Sequence, residues 1–239
     1  MVKKTTKSIF ILAVALFFLA AGSLPSSAQT VKSQIQRMTG WQSCVACAGV
    51  NASGPGASIY SATTSSPSLS GVSRVFSIAS SSPYADALWW KQLGAANGAT
   101  NLVYDVYFYL QTPQYSQALE FDNNQANGQK RWIFGTQCNI AGGHWDVWGN
   151  ASGNWISTGI PCYMPSAYKW HHLTWKFKRN GGYVTYISFT LDGVTHYVNR
   201  SYPARNSSVN ELNVAFQMDM KGNHVAYKTW LDNVKLTYW

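Results

Sequence analysis

From about residue 100 onward, apolar and polar positions alternate with a period of two in segment after segment, the mark of half-buried β-strands. In NLVYDVYFYL the side chains of Leu102, Tyr104, Val106, Phe108 and Leu110 fall on one face, with Asp105, Tyr107 and Tyr109 on the other. QALEFDN repeats the scheme, with Leu119 and Phe121 inward and Glu120 and Asp122 outward. RWIFGTQC sets Trp132, Phe134 and Thr136 against Ile133, Gly135 and Gln137, and HWDVW presents Asp146 and Trp148 together. HLTWKF alternates Leu173, Trp175 and Phe177 with His172, Thr174 and Lys176. After Gly181 and Gly182 a further strand carries Tyr183, Ile187, Phe189 and Leu191, and Asp192 followed by Gly193 is a hairpin turn signal. ELNVAFQMDM places Leu212, Val214, Phe216 and Met218 opposite Asn213, Gln217 and Asp219, and a last strand runs to Trp239. No long apolar stripe of helical period follows residue 28. Many antiparallel strands predict an all-β, two-sheet antiparallel jelly-roll sandwich.

The first residues do not fit that pattern. The run SIFILAVALFFLAAG stands behind Lys3, Lys4 and Lys7, with Ser26 and Ala28 at the cleavage positions, and reads as a signal peptide over residues 1–28. No later stretch reaches the roughly 20 apolar residues of a membrane helix, so no stable membrane insertion is expected after cleavage. Residues 29–239 suit one domain, since β proteins of this size often share a single core. Its opening part, residues 29–82, reads as a looser Cys/Ser-rich segment. It is either a linker or a polar edge of the sandwich, and the spacing of Ile59, Tyr60, Val72, Val75, Phe76 and Ile78 predicts short edge strands.

Composition narrows the classes. With 46% hydrophobic, 15% aromatic and only 11% charged residues, the chain is neither disordered nor a coiled coil. The leader holds three of the 18 lysines and arginines and none of the 9 acids, so a modest positive balance remains in the mature chain. That balance would suit an acidic glycan or a cell-wall polymer, but no Arg-rich helix is present and nucleic acid is not expected. Four cysteines fit an oxidising, extracellular or periplasmic compartment. Sequence does not separate their three pairings; we expect Cys44 with Cys47 and Cys138 with Cys162, because zinc, haem and redox readings of the single C-x-x-C lack their remaining parts.

Two stretches carry a resemblance. Lys169-Trp-His-His-Leu-Thr-Trp175, followed by a strand and Leu191-Asp-Gly193, resembles the W-H-H-V and x-D-G hairpin of laminin-G-like domains. Trp230-Leu-Asp-Asn-Val-Lys235 resembles the closing D-x-V strand of the wider concanavalin A-like lectin and glucanase superfamily. The likeness covers roughly residues 100–239. It implies two curved antiparallel sheets, with glycans lying across the concave sheet or its rim loops.

Five of the nine acids, Asp105, Glu120, Asp122, Asp146 and Asp219, lie on the polar sides of their strands among Tyr107, Tyr109, Gln137, Trp148 and Gln217. If those strands share a sheet they form an acidic, aromatic groove. Sugars stack their C–H faces on rings and bond their hydroxyls to fixed polar groups. The expected glycan-binding residues are therefore Tyr107, Tyr109, Glu120, Asp122, Gln137, Asp146, Trp148, Gln217 and Asp219. The competing reading divides these strands between two sheets and pairs some acids with Lys130 or Arg131.

Glu120 and Asp122 share a strand face about 6–7 Å apart, within the range of paired glycosidase carboxylates. They resemble the E-x-D-x-x-E strand of glucanases in this superfamily, where the last Glu is the acid. Here Asn123, Asn124, Gln125 and Ala126 follow, and an amide cannot deliver that proton. The expected function is thus lectin-like and non-catalytic. The alternatives are a glycoside hydrolase or polysaccharide lyase using Glu120 and Asp122, with Asp146 or Asp219 reaching in, and an extracellular protein-interaction domain. His171 and His172 read as structural, while His144, His196 and His224 stand alone. Calcium would suit Asp122 with Asn123 and Asn124, or Asp146. Among the tryptophans, successive Trp89 and Trp90 must face opposite ways, and Trp148 and Trp155 flank a Gly/Asn-rich loop fit to clamp a ligand.

Overall fold

The computed structural model describes Met1, residues 28–45 and residues 56–239. Most of the expected leader lies outside the described residues, as does Cys47 of the expected Cys44–Cys47 bridge. Among the described residues no helix is long and apolar enough to cross a membrane.

The N-terminal part supplies β1 (Thr30–Lys32), β2 (Gln42–Val45), β3 (Ser58–Thr64), β4 (Ser73–Ala79) and β5 (Asp86–Gln92). The middle adds β6 (Asn101–Leu110), β7 (Ser116–Asn127), β8 (Lys130–Phe134), β9 (Thr136–Asn139), β10 (His144–Gly149) and β11 (Asn154–Pro161). The remainder forms β12 (Lys169–Asn180), β13 (Tyr183–Leu191), β14 (Val194–Pro203), β15 (Arg205–Asn206), β16 (Asn210–Met220) and β17 (Tyr227–Tyr238). One sheet runs β14-β13-β12-β6-β17-β4-β3, with β1 on β17. The other runs β11-β10-β9-β7-β16-β5-β2, with β8 on β7 and β15 on β8. β6 and β7 follow one another yet lie in different sheets; β7 to β11 stay in the second sheet, and the chain returns to the first at β12.

The alternation in the sequence builds the core. Leu102, Tyr104, Val106, Phe108 and Leu110 of β6 face Leu119 and Phe121 of β7 and Val214, Phe216 and Met218 of β16 across the sandwich. Phe121 and Phe216 meet Phe108 and Phe76 at ring separations of 5.1 Å. A second aromatic group gathers Trp145, Trp175, Phe177, Tyr186 and Phe189, all within 1% of full burial. Rings of this size supply much of the apolar burial that stabilises a two-layer fold.

β1, β3 and β4 extend one sheet and β2 extends the other, with Phe76 and Ile78 buried. The phase expected for the strand after Gly182 needs correction. Tyr183 is exposed and Ile187 half-buried, whereas Val184 and Tyr186 face the core ahead of Phe189. An irregularity between Tyr186 and Ser188 inserts the extra residue that flips the faces. The Asp192 and Gly193 turn joins Leu191 to Val194 with both residues at positive φ, 48° and 86°, which suits the twist of a two-residue hairpin.

His171 and His172 split as a strand requires. His171 is buried against Phe108, its Nδ1 2.7 Å from Asp192 Oδ2. His172 stacks on Tyr107 on the outer side, at a ring separation of 4.1 Å. Cys138 and Cys162 form a disulfide with Cα atoms 5.6 Å apart, tying β9 to the segment that follows β11.

Candidate functional site

Because Leu119 and Phe121 face the core, Glu120 and Asp122 must face away from it, on the outer side of the nine-stranded sheet. Strand pairing then aligns a row of side chains across that face. Leu88 opposes Gln217, Gln217 opposes Glu120, Glu120 opposes Gln137, Gln137 opposes Asp146, and Asp146 opposes Ser157. Two residues along each strand, on the same face, Trp90 opposes Ala215 and Ala215 opposes Asp122.

Beside this row lies a cleft of about 530 Å³. Its floor is Glu120, Asp122, Asn124, Ala215 and Gln217, and one wall is the β10–β11 hairpin with Trp148 and Trp155. The opposite side brings Arg131 of β8 and Arg205 of β15, which oppose one another in the strand pairing. Trp148 and Trp155 pack edge to face, with centroids 5.2 Å apart. Gly135 makes that wall possible, since a Cβ there would stand 2.8 Å from Trp148 Cβ.

Of the nine residues expected in the groove, seven occupy this face. Glu120, Asp122, Trp148 and Gln217 line the cleft itself. Asp219 stands at its margin, where Gln217 Nε2 donates to Glu120 Oε1 at 2.7 Å and to Asp219 Oδ1 at 2.9 Å. Gln137 and Asp146 are buried and face one another: Gln137 Nε2 donates to Asp146 Oδ2 at 2.6 Å, Asn139 Nδ2 donates to the same oxygen, and His144 Nδ1 meets Asp146 Oδ1. They brace β9 against β10. Tyr107 and Tyr109 do not join the group. They belong to β6 of the other sheet and face outward on the far side of the sandwich, as does Asp105, which accepts from Thr174 and lies 3.8 Å from Lys235. The expected single groove is corrected accordingly: alternation fixes which side of its strand a residue takes, and the crossing from β6 to β7 reverses which side of the molecule that is.

Several side chains of the cleft were not among the expected binders, Asn124, Arg131 and Arg205 among them. Asn124 occupies the floor, where its Nδ2 donates to Asn213 Oδ1 at 2.9 Å. Arg131 is no counter-ion of the floor acids, because its Nε meets Glu211 Oε1 at 2.8 Å. Arg205 comes from a two-residue strand that no period in the sequence could reveal. Trp155 was legible, as the partner of Trp148 across the Gly/Asn-rich turn.

Among the described residues, no lysine, arginine or histidine forms an ion pair with Glu120, Asp122 or Asp219. Burial, then the charge of Asp219 and that of Asp122, pushes the Glu120 carboxyl well above the usual range. Asp122 is pushed up to about 7 by burial, against the pull of the Thr136 N–H that donates to its Oδ1 at 2.9 Å. Asp219 is likewise pushed up to about 7, first by burial, with its bond from Gln217 opposing and the charge of Asp86 adding. The Gln217 amide bridges Glu120 and Asp219, so the two acids stand side by side, each raising the cost of charge on its neighbour. The acid that is missing from β7 after Asp122 therefore has a counterpart on β16, where Asp219 stands beside Glu120. Calcium fits poorly. Among the described residues no group of three or more His, Cys, Asp or Glu side chains is arranged to hold a metal ion, and Asp122 and Asp146 are engaged as described.

The fold is an all-β, two-sheet antiparallel sandwich. Among solved structures, an endo-β-1,4-glucuronan lyase from the fungus Trichoderma reesei superposes with a TM-score of 0.56 and 12% identity, over 86% of this chain and 94% of that one. The cellulose-induced protein Cip1 gives 0.51 and 12%, over 86% of this chain and 96% of that one. A carbohydrate-binding module of the β-sandwich superfamily is similar at 0.45 and 8% over 83% of this chain, which spans 57% of that one. At such identities the likeness is one of fold. No protein-family profile matches the sequence, and comparison with curated proteins gives no match.

Proposed function

We propose that this protein is an exported, lectin-like binder of polysaccharide chains, and that the cleft between the β10–β11 hairpin and Arg205 is its site. One observation carries the reading: an indole wall faces a floor of acids and amides inside a hollow of about 530 Å³. A pyranose ring has the same division, with apolar C–H faces and a rim of hydroxyls, so Trp155 would stack on a face while Asn124 and Gln217 meet the rim. The lining is hollow and mixes indoles with acids and amides, which supports a sugar over a flat apolar contact with another protein. Export rests on the leader-like residues 1–28 and on the Cys138–Cys162 disulfide, which needs an oxidising compartment.

The purified protein screened on a polysaccharide panel, with both retention and product release measured, tests this. Retention that Trp155→Ala weakens supports the cleft, and retention of no glycan, or binding indifferent to Trp155, rejects it. A bond-cleaving role is the second reading, favoured by Glu120 and Asp219 standing together on Gln217, since two neighbouring buried carboxyls can act as an acid and base pair. Product release with reducing ends would indicate hydrolysis, and ultraviolet-absorbing unsaturated ends would indicate elimination. Either should vanish in Glu120→Gln.

A further inference from the structure

Arg131 and Arg205 sit directly opposite each other on the antiparallel pair β8–β15, and both line the cleft. Side chains so placed have Cβ atoms about 4.5–5.5 Å apart, where like charges are unfavourable unless an anion joins them. Arg131 is anchored on one side only. Its Nε is held by Glu211, a buried carboxylate that also accepts from Gln92 and Asn213, while the side chain stays partly exposed and lines the cleft. Arg205 takes no side-chain partner from the described residues. Burial pushes the Glu120 carboxyl up and lifts Asp122 to about 7, so the competing negative charge of the floor falls away as pH drops below neutral. A site for neutral sugar needs hydroxyl partners and a ring to stack on. Two opposed guanidiniums add something else, a seat for an anion, and a guanidinium fork matches the two oxygens of a carboxylate.

We propose that the cleft selects acidic polysaccharide, seating a uronate carboxylate between Arg131 and Arg205 while the sugar ring lies against Trp155. This rests on the glycan-cleft reading above and deepens it.

The test uses the full chain and binding isotherms against oligomers of polygalacturonate, alginate and glucuronan, their carboxyl-reduced neutral counterparts, and dextran sulfate. The expected result is binding of at least one polyuronate, a loss of tenfold or more when its carboxyls are reduced, and a comparable loss in Arg205→Gln, which changes an exposed side chain and should fold normally. A salt slope that shrinks by about one in Arg205→Gln would accompany it. Equal binding of the reduced polymer, or binding of polyuronate unaffected in Arg205→Gln, overturns the proposal. So does binding of dextran sulfate with no polyuronate bound, which would assign the arginines to sulfate esters instead. The two readings separate in Trp155→Ala: neutral-glycan binding that depends on Trp155 and not on Arg205 leaves the cleft standing without its acidic preference, whereas binding independent of both residues removes the cleft as well.

Discussion

Asp232 and Asp122 are both buried aspartates on strands of one sandwich, yet their surroundings drive their carboxyls in opposite directions. Asp232 accepts from Gln36 Nε2, Ser68 Oγ, the backbone N–H groups of Leu69, Ser70 and Asn233, and Ser70 Oγ. Burial alone would raise it, but these bonds hold its carboxyl below the ordinary range. Asp122 accepts one backbone N–H and otherwise meets burial and other acids, so it rises to about 7. The first carboxylate closes the fold, pinning the 68–70 loop and the turn at Ile35–Arg37 onto β17. The second is stored in an unfavourable setting beside a cleft. Donor count, more than burial, separates a structural acid from one kept free for a ligand.

That contrast sets an order of effects. The largest is expected at Asp232, where Asp232→Ala leaves several buried donors unmet and should lower unfolding stability by about 3 kcal/mol; a urea-denaturation change under about 1 kcal/mol would refute its structural role. Next comes pH. Between about pH 4 and 7 the folded state holds protons on Asp122 and Asp219 that the unfolded chain has released, so these groups make stability fall as pH rises through that window and level off above about 7. Asp232 and Asp192, with carboxyls held low, act the other way: their contribution is present above the unfolded value and is lost on acidification below about 4. Melting temperatures of Asp122→Asn against the parent should converge at pH 4 and diverge in favour of the variant at pH 8, by about 1 kcal/mol or more.

A smaller energetic effect, visible in binding, is expected for Trp155→Ala: about a tenfold loss of glycan affinity, or roughly 1.4 kcal/mol, with little change in melting temperature because the indole is half-buried. Trp148 is a poorer probe. Only 8% exposed, and packed against Gly135 and Trp155, it would leave a hole when truncated, so lost binding in Trp148→Ala would mix folding with recognition. The least effect on stability belongs to Glu120→Gln, within about 0.5 kcal/mol by urea denaturation, because an amide replaces a protonated acid of the same shape and keeps its contacts with Gln217 and Asp219. A large destabilisation there would mean that Glu120 is ionised and that the comparison with Asp232 fails.

Period-two alternation was enough to place Leu119, Phe121, Trp175 and Phe216 in the core and to turn Glu120 and Asp122 away from it, and with the Asp-Gly turn signal it put the hairpin at Asp192 and Gly193. It also drew Trp148 and Trp155 together across their turn. It could not show that Tyr107 and Tyr109 leave the cleft, because β6 and β7 carry the same pattern in different sheets. Nor could it find the slip at Ser188, which a single inserted residue produces, or Arg205, whose strand is too short to have a period.

What the chain's order of residues determined by itself is the inside and outside of each strand, since a strand's geometry sends neighbours to opposite faces whatever lies around it. Which outsides meet was decided only by tertiary structure. Sheet order brings Asp219 of β16 to Glu120 of β7, and Arg205 to Arg131, across sequence gaps of 99 and 74 residues. The raised carboxyls of the floor and the low one of Asp232 follow from that assembly, because desolvation and hydrogen-bond donors belong to the folded surroundings and not to the residue type.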